Sequence, residues 1–122
     1  MTALETVHAF LNAAAQKDFN KALTFIAPQC EYHNMMMDKV VGPNAVKAAL
    51  EPFFGPTLEN ELKILREMTD GRLVFTERLD RHLMDHGWVE LPVTGVWEIS
   101  DGLITLWHEY FDLQTIMGQI AK

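Results

Sequence analysis

Three separate stretches of the chain carry polar side chains that could exchange protons with a substrate. These side chains belong to Tyr32, Asn34, Arg78, Asp80 and Asp112. Two carboxylates held near one arginine would titrate as a coupled pair, because the arginine lowers both carboxylate pKa values while burial and mutual repulsion raise one of them. One carboxylic acid and one carboxylate would then coexist at neutral pH, as paired general acid and general base catalysis requires.

An acid, a base and a bound water suit a small group of reactions. Tyr32 and Asn34 could hold a water beside one aspartate while the other aspartate protonates a leaving oxygen. Two carboxylates with room for a water between them are the geometry of inverting glycoside hydrolysis. The same arrangement opens an epoxide, because water attacks carbon from behind while the ring oxygen takes a proton. A dry, apolar pocket would strengthen both proton transfers.

A purely structural interpretation of these residues stays open. Arg78 and Asp80 could form an ion pair at the end of a strand, Tyr32 could be a satisfied core residue, and Asn34 could lie in a turn. Asp112 could be the N-cap of a terminal helix. Spacing alone favours this interpretation over catalysis.

The stretch from Gly71 to His82 alternates apolar and polar residues, which predicts a β-strand. Successive side chains of a strand point to opposite faces, so Arg78 and Asp80 share a face with Val74 and Thr76. Buried charges are costly unless they are paired. The two charged residues at the inner end of this apolar stripe are therefore expected to pair.

The last predicted strand runs from Leu103 to about Phe111. Alternation places one set of side chains on a common face, namely Ile104, Leu106, His108, Tyr110 and Asp112. Asp112 would then continue an apolar stripe, as Asp80 does on its own strand. The pattern therefore predicts that both aspartates face one pocket.

Periodicity and end signals divide the chain into helices followed by strands. The predicted helices are about 3–16, 19–26, 43–54 and 113–121, and the predicted strands are about 30–36, 58–68, 71–82, 88–99 and 103–111. The capping box Thr2-x-x-Glu5 begins the first helix, Pro28 follows the second, and Gly42-Pro43 opens the third. This order predicts one α+β domain over residues 1–122, with helices on one face of a curved, mixed but mainly antiparallel sheet that forms a cone-shaped pocket.

The composition narrows the possible partners. The chain has 122 residues, is 48% hydrophobic and carries a formal net charge of −7, and it has no basic stripe for a nucleic acid. No apolar run approaches the length needed to span a membrane, and we expect no signal peptide, because the first residues lack a basic region followed by an apolar block. The single Cys30 fits a reducing compartment. We therefore expect a soluble, cytoplasmic protein that binds a small molecule and neither nucleic acid nor membrane.

Other catalytic chemistries fit the sequence less well. Ser100 is the only serine and lies in a predicted turn, so a serine hydrolase lacks a nucleophile. Cys30 is better explained as a small core residue. The histidines show no zinc-binding spacing, and no glycine-rich phosphate loop is present. We therefore expect no metal and no organic cofactor.

Three segments of the chain resemble the signature segments of the limonene-1,2-epoxide hydrolases. They are Tyr32-x-Asn34-Met35, Glu77-Arg78-x-Asp80 and Trp107-x-Glu109-Tyr110-Phe111-Asp112. The likeness extends through the order of elements, including Gly42-Pro43 at a helix start. It implies the cone-shaped α+β fold that nuclear transport factor 2 and ketosteroid isomerase share.

The resemblance also implies a role for each candidate residue. Asp112 is expected to be the general base, with Tyr32 and Asn34 helping it to hold the water. Asp80 is expected to protonate the epoxide oxygen, and Arg78 to lie between the two carboxylates and orient them. A small cyclic or terpene-like epoxide would give a vicinal trans-diol in one step, without a covalent ester, and the protein would form a homodimer.

Two alternatives use the same scaffold. An isomerase or polyketide cyclase would abstract a proton next to a carbonyl with one aspartate and stabilise an enolate with the other polar groups. A non-catalytic small-molecule-binding domain is the third possibility, because folds of this shape are reused without chemistry.

Overall fold

The computed structural model of the protein describes residues 1–35 and 37–120. In chain order the elements are α1 (Ala3–Ala15), α2 (Phe19–Leu23), β1 (Ile26–Asn34), β2 (Val40–Val41), α3 (Pro43–Phe54), β3 (Glu59–Asp70), β4 (Leu73–Met84), β5 (Gly87–Ser100), β6 (Leu103–Tyr110) and α4 (Leu113–Ile120). Within these ranges, none of the helices is long and apolar enough to cross a lipid bilayer.

The strands form one sheet in the order β2-β1-β6-β5-β4-β3. Strands β1 and β6 run parallel, and the other neighbours run antiparallel. Helix α1 packs across β3 to β6, α4 packs on β5, and α3 packs on β1 and β2. The helices thus cover one face of the sheet, and the predicted α+β class with a mixed, mainly antiparallel sheet is confirmed.

Helix α1 begins at the predicted capping box. The Thr2 hydroxyl accepts a hydrogen bond from the Glu5 backbone N–H at 3.1 Å, and the Thr2 N–H donates to Glu5 Oε1 at 2.8 Å. The buried side of the helix carries Phe10, whose ring meets Trp97 and Trp107 edge-on with centroid distances of 5.9 and 5.0 Å. This aromatic contact anchors α1 on strands β5 and β6.

The entry into the sheet differs from the prediction. Helix α2 ends at Leu23, and β1 already begins at Ile26, so the helix predicted as far as residue 26 is too long. Pro28 lies inside β1, where the register against β6 shifts between Ile26 and Glu31. An irregular ladder tolerates proline, because a missing N–H there removes no regular hydrogen bond.

The remaining boundaries are close to the predicted ones. Helix α3 matches the prediction, and Pro52 lies inside it. The two-residue edge strand β2 was not predicted. The predicted last residue of the first strand, Met36, and of the terminal helix, Ala121, lie outside the described residues.

Candidate active site

A pocket of about 280 Å³ lies between the inner face of the sheet and the helices. Most of its wall is apolar, with side chains from α1, α3, α4 and the inner sheet face. The polar lining residues are Tyr32, Asn34, Arg78, Asp80, His82 and Glu109. A mostly apolar pocket with a few converging polar groups is typical of a small-molecule site.

Arg78 is held between two carboxylates. Its Nε and one terminal nitrogen, Nη2, donate to the two oxygens of Asp80 at 3.0 Å each. The two terminal nitrogens also donate to Glu109, with Nη1 at 3.1 Å from Oε2 and Nη2 at 2.5 Å from Oε1. The exposed fractions are 2% for Arg78, 8% for Asp80 and 6% for Glu109. Bidentate hydrogen bonds of this kind hold the guanidinium and carboxylate groups in a fixed geometry, so the two carboxylates keep a defined separation.

Strand β4 places the first two members of this set as predicted. Its buried residues alternate, and the inner face carries Val74, Thr76, Arg78, Asp80 and His82. The predicted common face of Arg78 and Asp80 is therefore confirmed, and so is their pairing.

Strand β6 contains a β-bulge that changes which side chains point inward. Ile104 pairs with Ile99 and Leu106 pairs with Glu98, so Thr105 is an extra residue without a partner in the ladder. Two residues opposing one on the neighbouring strand shift the alternation by one position. After the bulge, the inward side chains are Trp107 and Glu109.

The placement of Asp112 in the pocket is therefore wrong. Asp112 is exposed and does not line the pocket. Its Oδ1 accepts a hydrogen bond from the Gln114 N–H at 3.2 Å, and its Oδ2 accepts one from the Thr115 hydroxyl at 2.8 Å. These contacts cap helix α4, as the structural interpretation of this residue expected. Glu109 is the carboxylate that faces Arg78.

Gly95 leaves the space through which Glu109 reaches Arg78. It lies on β5 between Thr76 of β4 and Glu109 of β6. A Cβ atom at this position would come within 2.7 Å of Glu109 Oε2, 2.8 Å of Trp97 Nε1 and 2.9 Å of Thr76 Oγ1. Such contacts are too close for any side chain, so the site depends on glycine here.

Tyr32 and Asn34 come from β1, which runs parallel to β6. Tyr32 pairs with Trp107 and Asn34 with Glu109. The Tyr32 ring stacks on Trp107 with a centroid distance of 4.2 Å and is 4% exposed. Both predicted residues thus line the pocket beside Glu109.

Burial dominates the electrostatics of the site. It raises the pKa of Glu109, and the adjacent Arg78 opposes this rise. Burial also raises the pKa of Tyr32, and the charge of Glu109 adds to the increase. For Arg78, burial lowers the pKa, but the charges of Glu109 and Asp80 outweigh it and the net pKa is raised. Arg78 is therefore a permanent cation between the two acids.

Two pocket residues were missed as candidates, and both had a signal. His82 continues the stripe of Arg78 and Asp80 at the same spacing of two residues. Glu109 lies inside the third segment quoted for the family resemblance, but simple alternation placed it on the outer face. The bulge at Thr105 reverses that assignment.

The fold and the site together define a class. A helix-covered, curved sheet around an apolar pocket is the fold of the NTF2-like and ketosteroid isomerase-like proteins. One example is a hypothetical protein with a ketosteroid isomerase-like fold from Catenulispora acidiphila, which superposes with a TM-score of 0.83 over 98% of this chain and 93% of its own, at 17% identity. Identity this low shows the fold alone.

Sequence comparison then defines the family. The limonene-1,2-epoxide hydrolase catalytic domain matches residues 1–122. Epoxide hydrolase EphG of Mycobacterium tuberculosis is 35% identical over 116 residues, which are 95% of this chain and 77% of EphG. The structure of an M. tuberculosis LEH-like epoxide hydrolase has a TM-score of 0.83 and 33% identity, covering 98% of this chain and 89% of that one. The chain belongs to the limonene-1,2-epoxide hydrolase family and thus to a family of epoxide hydrolases.

Proposed function

We propose that the protein adds water to a small cyclic or terpene-like epoxide, of the limonene-1,2-epoxide type, and releases a vicinal trans-diol. One observation carries this proposal: Arg78 binds two buried carboxylates at once on the wall of an apolar pocket. Such a set can hold one proton between two acids, which supplies an acid and a base together.

Glu109 is the proposed general base, in place of Asp112. Asn34 is its partner in the β1–β6 register, and Tyr32 lies one pleat away. A water beside Glu109 could therefore contact both polar side chains. Burial raises the pKa of Glu109, which makes its carboxylate a stronger base than an exposed glutamate.

Asp80 is the proposed general acid. Arg78 separates it from Glu109, so an epoxide lying across the arginine would have the water on one side and the acid on the other. The water oxygen forms a bond to carbon, the carbon–oxygen bond of the epoxide breaks, Glu109 takes a proton from the water, and Asp80 protonates the ring oxygen. Proton exchange with solvent then returns the pair to its starting state.

The stereochemistry follows from this arrangement. Attack from the side opposite the breaking bond inverts the attacked carbon, so a ring epoxide gives a trans-diol. A single-turnover reaction of cyclohexene oxide in oxygen-18 water, read by mass spectrometry, should give labelled diol. Diol that is unlabelled in the first turnover would show that an enzyme carboxylate attacks carbon, and would refute the one-step mechanism.

The choice between Glu109 and Asp112 has a direct test. Glu109→Gln keeps the size of the side chain but cannot accept the proton, so kcat/KM should fall by roughly 100- to 10,000-fold. Asp112→Asn is the matched control, because asparagine also caps helices and the residue lies outside the pocket. Near-normal turnover by folded Glu109→Gln, or inactive but folded Asp112→Asn, would refute the assignment.

We also propose that the protein is cytoplasmic and forms a homodimer. Cys30, the single cysteine, is buried and free, which suits a reducing compartment. The homodimer is what the family resemblance implies. Light scattering coupled to gel filtration should give about twice the chain mass of 13.9 kDa, and a monomer mass at micromolar concentration would contradict it.

A further inference from the structure

His82 is a buried polar side chain on the pocket wall that the proposed hydrolysis does not use. It follows Asp80 by one pleat of β4 and is 2% exposed. The rings of Phe53 and Phe54 meet its imidazole edge-on, with centroid distances of 4.7 and 5.4 Å. A hydrogen-bonding ring thus lies in an apolar part of the pocket, close to the proposed acid.

A chain of hydrogen bonds determines the tautomer of this ring. The Phe54 carbonyl can only accept, so the Thr57 hydroxyl donates to it at 2.6 Å. The Thr57 oxygen must then accept from the Asn60 amide nitrogen, at 2.9 Å, and the same nitrogen donates to the Ala15 carbonyl at 3.2 Å. Asn60 therefore turns its carbonyl oxygen toward His82, where Nδ1 lies 2.7 Å away and must donate.

The other ring nitrogen is left as an acceptor. Burial lowers the pKa of His82, the charge of Arg78 lowers it further, and Asp80 opposes them, so the ring is neutral near pH 7. In a neutral imidazole that carries its proton on Nδ1, Nε2 has a free lone pair. No hydrogen bond reaches Nε2 from residues 1–35 and 37–120, and the His82 side chain lines the pocket.

We propose that Nε2 of His82 accepts a hydrogen bond from a hydroxyl group of the substrate. The inference rests on the proposed function and names its substrate class: small cyclic epoxides that carry an alcohol near the epoxide ring. A buried acceptor without a partner weakens the binding of a purely apolar ligand, and a hydroxyl group removes that penalty.

The position of the alcohol follows from the strand geometry. Residues two apart on a strand lie about 6.6 Å apart along its axis, so a hydroxyl within a few bonds of the epoxide can reach His82 while Asp80 reaches the ring oxygen. A neutral alcohol is favoured over an ammonium group, because an apolar wall disfavours a desolvated cation.

Matched substrates test the proposal. Cyclohexene oxide is compared with 2,3-epoxycyclohexan-1-ol and 3,4-epoxycyclohexan-1-ol, and kcat/KM is measured for each. At least one hydroxylated epoxide should be preferred by roughly 3- to 10-fold, the value of one neutral hydrogen bond. Equal or lower kcat/KM for both alcohols would overturn the inference and leave the proposed hydrolysis standing. Turnover of none of the three would overturn both.

Variants assign the preference to this ring. His82→Leu should lose the preference, because leucine has no acceptor. His86→Leu is the matched control, since His86 is bonded to the Gln119 carbonyl outside the pocket, and it should keep the wild-type preference. An unchanged preference in folded His82→Leu would overturn the inference.

Nitrogen-15 NMR of wild-type protein tests the tautomer without any variant. His82 should show a protonated Nδ1 and an unprotonated Nε2 at pH 7. A proton on Nε2, or on both nitrogens, would overturn the inference whatever the fate of the variants.

Discussion

The substitution Gly95→Ala tests whether the site depends on the space between β4 and β6. Gly95 lies beside Thr76 and Glu109, and its φ is not in the left-handed region, so alanine brings no backbone strain. The added methyl group would lie 2.7 Å from Glu109 Oε2, and this oxygen must retreat by about 0.7 Å to reach the 3.4 Å of an ordinary contact.

The size of the effect follows from that displacement. Glu109 Oε2 receives a hydrogen bond from Arg78 at 3.1 Å, and a movement of this size is enough to break it. Misplacement of a catalytic group by about 1 Å can reduce the rate by about 100-fold. We therefore expect kcat/KM for cyclohexene oxide to fall by roughly 100-fold, and overpacking to lower the free energy of unfolding by about 1–3 kcal/mol.

The control is the same substitution elsewhere. Gly118 lies in helix α4, and a Cβ there meets nothing within 4 Å. Gly118→Ala should leave kcat/KM close to wild type and stabilise the protein by about 0.5–1 kcal/mol, because glycine is a poor helix former. Diol formation and urea denaturation are measured for both variants.

One result would refute the reasoning. That result is a Gly95→Ala variant that folds with wild-type stability and keeps kcat/KM within about 3-fold of the wild-type value. It would show that displacing Glu109 from Arg78 does not reduce catalysis to the extent expected. Either Glu109 would not be the base, or its contact with Arg78 would not position it.

Two further predictions concern the charged set. Arg78→Lys keeps the positive charge, but a single amine nitrogen cannot reproduce the four hydrogen bonds to Asp80 and Glu109. We therefore expect kcat/KM to fall by about 100-fold or more. A kcat/KM within about tenfold of wild type would show that a point charge is sufficient. The raised pKa of Glu109 predicts a pH effect on stability. Burial keeps the Glu109 proton bound in the folded protein above pH 4.5, its ordinary value, where the unfolded chain has released it. The contribution of this proton to the free energy of unfolding is therefore fully present below pH 4.5 and declines as the pH rises through the folded-state pKa of Glu109. Urea denaturation between pH 4.5 and 8 should show that the free energy of unfolding declines less for Glu109→Gln than for wild type. Equal declines would contradict the raised pKa of Glu109.

The sequence predicted much of the site because β4 is regular. A strict alternation from Val74 to Asp80 was enough to place Arg78 and Asp80 on one face, and the structure confirms it. Their pairing followed from the free energy of burying charge, which does not depend on the rest of the fold. The capping box at Thr2 and Glu5 is likewise a local pattern, and helix α1 begins there.

The second carboxylate could not be predicted in the same way. A β-bulge is a relation between two strands, since it is defined by two residues that oppose one. The sequence of β6 alone gives no sign that Thr105 lacks a partner on β5. The continued alternation therefore selected Asp112, and the tertiary structure selected Glu109.

The residues available for acid–base chemistry, their order and the α+β class were determined by the sequence itself, because composition and periodicity are local properties. Which carboxylate faces Arg78 was decided only in the tertiary structure, where the register of β6 on β5 and the empty space at Gly95 bring Glu109 inward. The orientation of His82 is decided there too, because Thr57 and Asn60 lie more than 20 residues before it in the chain. Contacts between distant strands and helices are formed by packing, and no local pattern encodes them.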